Sequence, residues 1–289
     1  MSETTASLRR KISSAGDLQS VVRTMKALAA ASIGQYEKSV SALGDYSRTV
    51  ELGLSAFFRA NESPAAMVKQ NADAGAISAV VFGSDQGLVG QFNDVVTDFA
   101  LKTLASLPGQ AQIWAVGERV HARLTDAGQS PTRLLTVPNS VRNITPLIGQ
   151  ILIEHDAQQN TSGLHLFYNR PASQAGYEPV HQRLLPLDES WRRKLAGLSW
   201  PTPCLPEVMG GRASLRALLR EHLFVSLFRA CAESLASENA SRLAAMERAD
   251  RNIDELLKDL NASFHRLRQS GMDAELFDVI SGFEALAGP

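Results

Sequence analysis

The chain has 289 residues, of which 44% are hydrophobic and 20% charged, and its formal net charge is −1. This balance is typical of a globular protein large enough for a core plus an extension, and it argues against a general nucleic-acid binder, which is usually basic. No apolar run approaches the ~18 residues that a membrane span needs, so no direct membrane insertion is expected. The two cysteines, Cys204 and Cys231, show no metal-binding or redox spacing, which favours a cytoplasmic protein.

A long amphipathic helix is predicted at the amino terminus, because no proline occurs between Leu8 and Phe58. Apolar residues recur there every three or four positions, which is the spacing of one stripe of an α-helix. The stripe comprises Leu18, Val21, Val22, Met25, Leu28, Ala29, Ile33, Tyr36, Val40, Leu43, Val50, Leu54 and Phe57. A polar break over residues 59–75 is expected to end this helix.

After the polar break, short apolar runs alternate with amphipathic segments. The predicted strands are Ala76–Phe82, Gln112–Val116, Arg133–Val137, Gly163–Tyr168 and Val180–Leu187. The predicted helices are Asn93–Leu107, Glu118–Asp126 and a helix from about Thr145 to His155, with Thr145 as its N-cap and Pro146 at its first position. Alternating strands and helices with short loops indicate a Rossmann-like, mostly parallel α/β domain over residues 75–200.

A second long helix is predicted at the carboxyl end, from about Glu207, because no proline occurs between Pro206 and Pro289. An unbroken helix of this length would extend roughly 110 Å, which a compact protein of this size cannot bury. We therefore expect residues 1–58 and 207–289 to form an antiparallel coiled-coil shaft. In this arrangement the helix-one residues near Val21–Leu28 are expected to face Ile253–Leu267.

The turn after the first strand, GSDQGLVGQFN, is the candidate functional site of the α/β domain. Its marked residues are Gly83, Ser84, Asp85, Gly87 and Gly90. Glycines between a strand and a helix can present backbone N–H groups to a phosphate. The glycine spacing matches neither the dinucleotide fingerprint nor a P-loop, however. We therefore favour a structural turn, in which the serine or the aspartate satisfies local backbone donors.

The sequence carries no catalytic signature that we recognise from the residues alone. The six histidines lack HExxH or other paired-ligand spacing, and no GxSxG nucleophile elbow occurs. No catalytic residue, metal site or cofactor is therefore predicted.

Five stretches resemble the gamma subunit of F-type ATP synthases, and they occur in the family's order over essentially the whole chain. They are LRRKIS (8–13), VVRTMKALAAA (21–31), GSDQGLVGQFN (83–93), ESLASENASRLAAMERADRN (233–252) and RLRQSGMDAELFDVISGFEAL (266–286). The last two form the most specific block.

The resemblance implies a central-stalk rotor that couples rotation of a membrane ion-translocating ring to ATP synthesis or hydrolysis and is not itself an enzyme. It implies as partners the alpha and beta subunits of the catalytic hexamer, the epsilon subunit and the membrane rotor ring. The expected location is the cytoplasmic face of the cell inner membrane, peripheral through the complex. The positions that match the family's coupling contacts are Arg23, Lys26, Arg266, Arg268, Gln269 and Glu275.

Several positions depart from the family pattern. Residues 32–35 replace a basic cluster, Gln86 replaces the usual arginine of the turn, Val89 its usual cysteine, and Asp273 a threonine. These departures resemble a divergent, alternative branch of F-type ATPases, some of which are thought to move sodium ions.

Two other functions remain open from the residues alone. One is a nucleotide-binding α/β enzyme that uses the turn at Gly83–Gly90 and dimerises through its helices. The other is a coiled-coil adaptor.

Overall fold

The protein is described by a computed structural model over residues 4–60, 76–158, 161–172, 176–187, 189–202, 204 and 211–286. Its helices are α1 (Thr5–Ala60), α2 (Phe92–Leu104), α3 (Glu118–Asp126), α4 (Ile144–Ala157), α5 (Glu189–Ala196) and α6 (Gly211–Leu286). Its strands are β1 (Ala76–Phe82), β2 (Ala111–Val116), β3 (Arg133–Leu135), β4 (Thr161–Pro171) and β5 (Tyr177–Leu185). Residues 61–75 of the predicted polar break and residues 207–210 of the predicted second helix lie outside the described residues.

The predicted fold class is confirmed. The five strands form one sheet in the order β3-β2-β1-β4-β5, in which only the β4–β5 pairing is antiparallel. Two long helices, α1 and α6, flank this α/β region in the sequence. Strand β1 and helix α3 have the predicted bounds, because an apolar β-branched run and a strongly amphipathic segment are unambiguous signals.

The sheet is buried on both faces, and successive residues of a strand point to opposite sides. Val80 and Phe82 of β1 pack with apolar residues of α4 and α6. Ala79 and Val81 of the same strand pack with residues of α2 and α3. Because both faces are buried, the sequence of β1 is an almost continuous apolar run and does not alternate between apolar and polar residues.

The chain divides into two compact units, residues 1–29 with 243–289 (unit 1) and residues 30–242 (unit 2). Unit 1 consists of the first part of α1 and the last part of α6, and unit 2 contains the sheet. The predicted division into a shaft (1–58 and 207–289) and an α/β domain (75–200) follows the secondary structure instead and stays a prediction.

In unit 1 the two helices run antiparallel, because partners that increase in number on α1 decrease on α6. Arg23 pairs with Asp250, while Lys26 pairs with Glu247. The register is offset from the predicted one, since Arg23 lies beside Asp250 and Asp254 and Lys26 beside Glu247, around and before the start of the predicted Ile253–Leu267 range.

A seven-residue repeat describes most of the buried face of α1 better than the broader apolar stripe does. Buried side chains recur at Leu8, Ala15, Val22, Ala29, Tyr36, Val50 and Phe57. A repeat of this period is the pattern of a left-handed coiled coil. Three members of the predicted stripe, Leu18, Val21 and Leu28, are instead exposed because they lie off this repeat.

Two local predictions need correction. Helix α4 begins at Ile144 after a 3-10 turn over Val141–Asn143, so Asn143 and not Thr145 occupies the N-cap position. Helix α5 was not expected, because its eight residues are too few to show a clear period. It packs its Trp191 and Leu195 against α1 and α6 within unit 2.

Candidate functional site

Asp85 closes the turn after β1 by accepting two backbone hydrogen bonds. Its Oδ1 accepts from the N–H of Glu118, the first residue of α3, at 3.0 Å. Its Oδ2 accepts from the N–H of Val137, also at 3.0 Å. One carboxylate thus joins three segments at the carboxyl ends of β1, β2 and β3, and it lies at the positive N-terminus of a helix.

Ser84 and Asn93 hold the two ends of the same turn together. The Ser84 N–H donates to Asn93 Oδ1 at 3.0 Å, and Asn93 Nδ2 donates to Ser84 Oγ at 2.9 Å. Ser84 Oγ also donates to the carbonyl of Gln86 at 2.8 Å. The side chains of Ser84, Asp85 and Asn93 are therefore engaged with the protein itself.

Gly83 is required because there is no room for a side chain at this position. A Cβ at this position would lie 2.3 Å from Val120 Cβ and 2.7 Å from Asn93 Oδ1. Gly90 is required by conformation, since its φ is +57°. At Gly87 a Cβ would meet nothing nearer than Arg119 Nη2 at 3.8 Å, an ordinary contact. Two of the three glycines therefore serve the shape of the turn.

Helix α6 packs a buried ion pair beside this turn within unit 2. Glu238 is 5% exposed, and its Oε1 accepts from Arg242 Nη2 at 2.6 Å. Burial raises the pKa of Glu238, the neighbouring Asp85 charge adds to this, and Arg242 opposes it. Ser241 Oγ also donates to the carbonyl of Val89 at 2.5 Å. These contacts fix the turn against α6.

The part of the chain that the structure describes contains no group of three or more His, Cys, Asp or Glu side chains able to hold a metal ion. None of its helices is long and apolar enough to cross a membrane.

The predicted coupling residues on α1 are engaged with α6 inside unit 1. Arg23 Nε lies 3.2 Å from Asp250 Oδ1, and its Nη2 lies 3.7 Å from Asp254 Oδ1. Lys26 Nζ lies 4.0 Å from Glu247 Oε1. The pairs with Asp254 and Glu247 are exposed on both sides and contribute about 0–1 kcal/mol each, whereas the Asp250 side chain is only 18% exposed.

The predicted coupling residues on α6 lie near and beyond the point where α1 begins. The Arg9 guanidinium carbon is 5.8 Å from the centre of the Phe264 ring, so in the antiparallel coil α6 runs past Thr5 from about residue 268. Arg266 Nε donates to the Ala262 carbonyl of its own helix at 3.4 Å. The other three, Arg268, Gln269 and Glu275, are exposed.

The end of α6 also exposes an apolar surface. The exposed large apolar residues there are Met272, Leu276, Phe277, Val279, Ile280 and Phe283. Two of them, Phe277 and Phe283, are 67% and 72% exposed. A concentration of exposed apolar side chains of this kind marks an interaction surface rather than a solvated face.

A histidine pair lies on β4 and β5 within unit 2. His165 Nδ1 is 2.8 Å from His181 Nε2, and Phe167 stacks on the His181 ring with centroids 4.8 Å apart. Burial, then the His181 and Arg183 charges, lower the pKa of His165 from 6.5 to about 4. Burial and Arg183 likewise lower the pKa of His181.

We expect this pair to make unit 2 sensitive to acid. The unfolded chain binds more protons than the folded one between pH 6.5 and about 4, so the pair's contribution is complete above pH 6.5 and is lost as the pH falls toward 4. The His165→Phe variant should lose less of its melting temperature than the parent chain between pH 7.5 and pH 5. His265→Gln, at an exposed histidine of unit 1, is the control. Equal losses in the parent and His165→Phe would contradict the assignment.

Several residues that shape these sites were missed at the level of sequence. Asn93, Ser241 and the Glu238–Arg242 pair are polar residues inside predicted helices, where the default interpretation is a solvated face. The i,i+4 spacing of Glu238 and Arg242 was a usable signal for the pair, but not for its burial.

Comparison with known proteins shows similarity over nearly the whole chain. A family model described as ATP synthase matches residues 4–286. The ATP synthase gamma chain of Verminephrobacter eiseniae is 26% identical, over 97% of this chain and 98% of that protein. The ATP synthase gamma chain of Moorella thermoacetica is also 26% identical, over 96% of this chain and 98% of that protein.

Solved structures show the same fold. The rotor of the Euglena gracilis mitochondrial ATP synthase aligns with a TM-score of 0.62 at 17% identity, covering 93% of this chain and 98% of that one. The central stalk and c-ring structure of the Tetrahymena thermophila enzyme aligns with a TM-score of 0.58 at 19% identity, covering 79% and 99%.

Proposed function

Since the chain belongs to the ATP synthase family, we propose that it is the gamma subunit, the central-stalk rotor, of an F-type ATP synthase. It couples rotation of a membrane ion-translocating ring to the synthesis or hydrolysis of ATP in the hexamer of alpha and beta subunits. In this role the chain is a non-catalytic subunit.

The observation that supports this role most directly is the exposed carboxyl end of α6. A rotor must be enclosed by its stator without being held by strong directional bonds. Apolar side chains such as Leu276, Phe277 and Phe283 lie exposed on a helix without a described partner beside it. These side chains suit contact with an apolar surface of the surrounding stator. No hydrogen bond then has to break at each step of rotation.

The remaining partners follow from the same role. The epsilon subunit and the membrane rotor ring contact the α/β domain, and the chain is a peripheral subunit of a membrane complex. Its location is the cytoplasmic face of the cell inner membrane. The shaft comprises residues 1–58 and 207–289, and the α/β domain comprises residues 75–200.

The proposal is tested by assembly. The chain, mixed with the alpha and beta subunits of the same organism, is expected to form a stable complex that hydrolyses ATP, while the chain alone shows no turnover. ATP turnover by the pure monomer would instead favour a nucleotide-binding enzyme. Failure to join the hexamer, together with capture of other proteins, would favour an adaptor.

The coupling residues make a second, more specific prediction. Replacing Arg268 and Gln269 together by alanine should leave assembly intact, because both side chains are exposed. ATP turnover or its coupling to ion transport should fall by up to about thirtyfold, since two weak contacts of up to about 1 kcal/mol each amount to at most about 2 kcal/mol.

The matched control replaces Arg251 and Asn252, an exposed pair on the same helix outside the predicted contacts. It should retain the activity of the parent complex. If both double variants work at the parental rate and coupling, Arg268 and Gln269 are ordinary surface residues. The same experiment would then also remove the reason to assign Arg266 and Glu275 to coupling.

A further inference from the structure

The seam of unit 1 is mostly apolar, and Gln19 is its one buried polar residue on α1, where Lys26 is the other polar seam residue and is half-buried. On α1, side chains at Ile12, Ala15, Gln19, Val22, Lys26 and Ala29 alternate three and four residues apart and are buried or half-buried. On α6 the corresponding series is Met246, Asp250, Ile253, Leu257 and Leu260. Gln19 and Asp250 thus form a polar layer at seam positions on opposite helices, where apolar residues are usual.

The side chains of this layer bond to one another. Gln19 is only 9% exposed, and its Nε2 donates to Asp250 Oδ1 at 3.3 Å. The same nitrogen also donates to Asp254 Oδ1, one turn further along α6. Arg23 lies at the rim and reaches both carboxylates. A single amide and a single guanidinium therefore bridge two like charges that would otherwise repel across one helical turn.

The apolar part of the seam does not distinguish one register from the next. A slip of one heptad would again place apolar residues of α1, such as Ala15 and Val22, against apolar residues of α6. The same slip would replace Asp250 by Leu243 or Leu257, and Asp254 by Glu247 or Asn261, so Gln19 would lose one of its two acceptors. The acceptor lost is the half-buried one, so the buried amide would no longer be fully hydrogen-bonded and the slipped register would be disfavoured.

We propose that the layer of Gln19 and Asp250, with Arg23 and Asp254 at its rim, selects the register between α1 and α6 in unit 1. Gln19 is then a positioning residue. It determines which α6 residue lies beside Arg23 and Lys26, and which part of α6 extends past the start of α1. The relevance for coupling rests on the proposed rotor function, but the register itself does not.

The test uses cross-linking by a short bifunctional thiol reagent in the isolated full chain, with Cys204→Ser as background because Cys204 is exposed and Cys231 is buried. The pair Arg9→Cys and Phe264→Cys reports the observed register. Arg9→Cys combined with Leu257→Cys or with Gly271→Cys reports a slip of one heptad in either direction. These reporters lie several turns away from the polar layer.

With Gln19 present, cross-linking is expected only in the observed register. In Gln19→Leu, one of the slipped cross-links should rise about tenfold, the change that corresponds to about 1.4 kcal/mol of lost preference. Helicity should stay at the parental level, because an apolar seam residue still packs. Gln19→Asn, which keeps the amide, should restore the single register.

Two results would overturn the proposal. In the first, Gln19→Leu shows only the Arg9→Cys and Phe264→Cys cross-link at the parental yield, which would assign the register to apolar packing. A loss of helicity without any slipped cross-link would show that the layer stabilises the coil but does not select its register. Neither result depends on the partner subunits, so both are separable from a failure of the rotor proposal.

Discussion

Gly83→Ala is expected to destabilise unit 2 by at least about 3 kcal/mol, the upper part of the usual range for overpacking. The added Cβ would lie 2.3 Å from Val120 Cβ, a distance that side-chain rotation cannot relieve because Val120 Cβ is attached directly to the α3 backbone. Gly83 is itself held in place, since its N–H donates to the Val116 carbonyl at 2.8 Å. Either α3 must move away from the sheet or the turn must open.

Urea unfolding followed by tryptophan fluorescence measures this effect. All three tryptophans, Trp114, Trp191 and Trp200, lie in unit 2, so the signal reports that unit. Gly87→Ala is the matched control, because its Cβ would make only an ordinary contact at 3.8 Å. It should unfold within about 0.5–1 kcal/mol of the parent, the cost or gain typical of a Gly-to-Ala change. Equal midpoints for Gly83→Ala and Gly87→Ala would show that the turn has room that the structure does not indicate.

Asp85→Ala is expected to cost about 2–4 kcal/mol. The substitution leaves the backbone N–H groups of Glu118 and Val137 without their acceptors, and each orphaned donor costs about 1–3 kcal/mol to the extent that water cannot replace the carboxylate. It also removes a negative charge from the N-terminus of α3, a smaller loss. Asp85→Asn keeps one acceptor oxygen and should fall between the parent and the alanine variant.

The control for Asp85 is Asp94→Ala, which removes a carboxylate 2.6 Å from Arg123 Nε on the surface of the same unit. Both side chains of that pair are more than 40% exposed, so the loss should not exceed about 1 kcal/mol. If Asp85→Ala is no more destabilised than Asp94→Ala, water replaces the two hydrogen bonds from the backbone N–H groups. Asp85 then does not hold the turn together.

Local signals predicted most of the α/β region because its strands are short, apolar and rich in β-branched residues. β1 and α3 match their predicted bounds, and β2 differs by one residue. The ends of β4 and β5 were predicted less well, since their hairpin extends into polar residues such as Asn169 and Glu178. Pairing with a neighbouring strand, which local composition does not encode, holds these residues in the sheet.

The turn illustrates the same limit at a site. Its glycine spacing argued against a nucleotide-binding fingerprint, and Ser84 or Asp85 was expected to satisfy local donors. The partners themselves were not predictable: Val137 is 52 residues from Asp85, and Ser241 is 152 residues from Val89. Contacts of that separation depend on how the strands are ordered in the sheet and on where α6 packs.

The sequence by itself determined the fold class, the family and the presence of two long terminal helices, because each rests on local periodicity or on motifs that need no knowledge of tertiary contacts. Only the tertiary structure decided the face and the register of the coil. Leu18, Val21 and Leu28 looked like seam residues and are exposed. The physical reason is that an apolar repeat of seven residues is compatible with several registers, so the choice falls to long-range polar contacts such as those of Gln19 with Asp250.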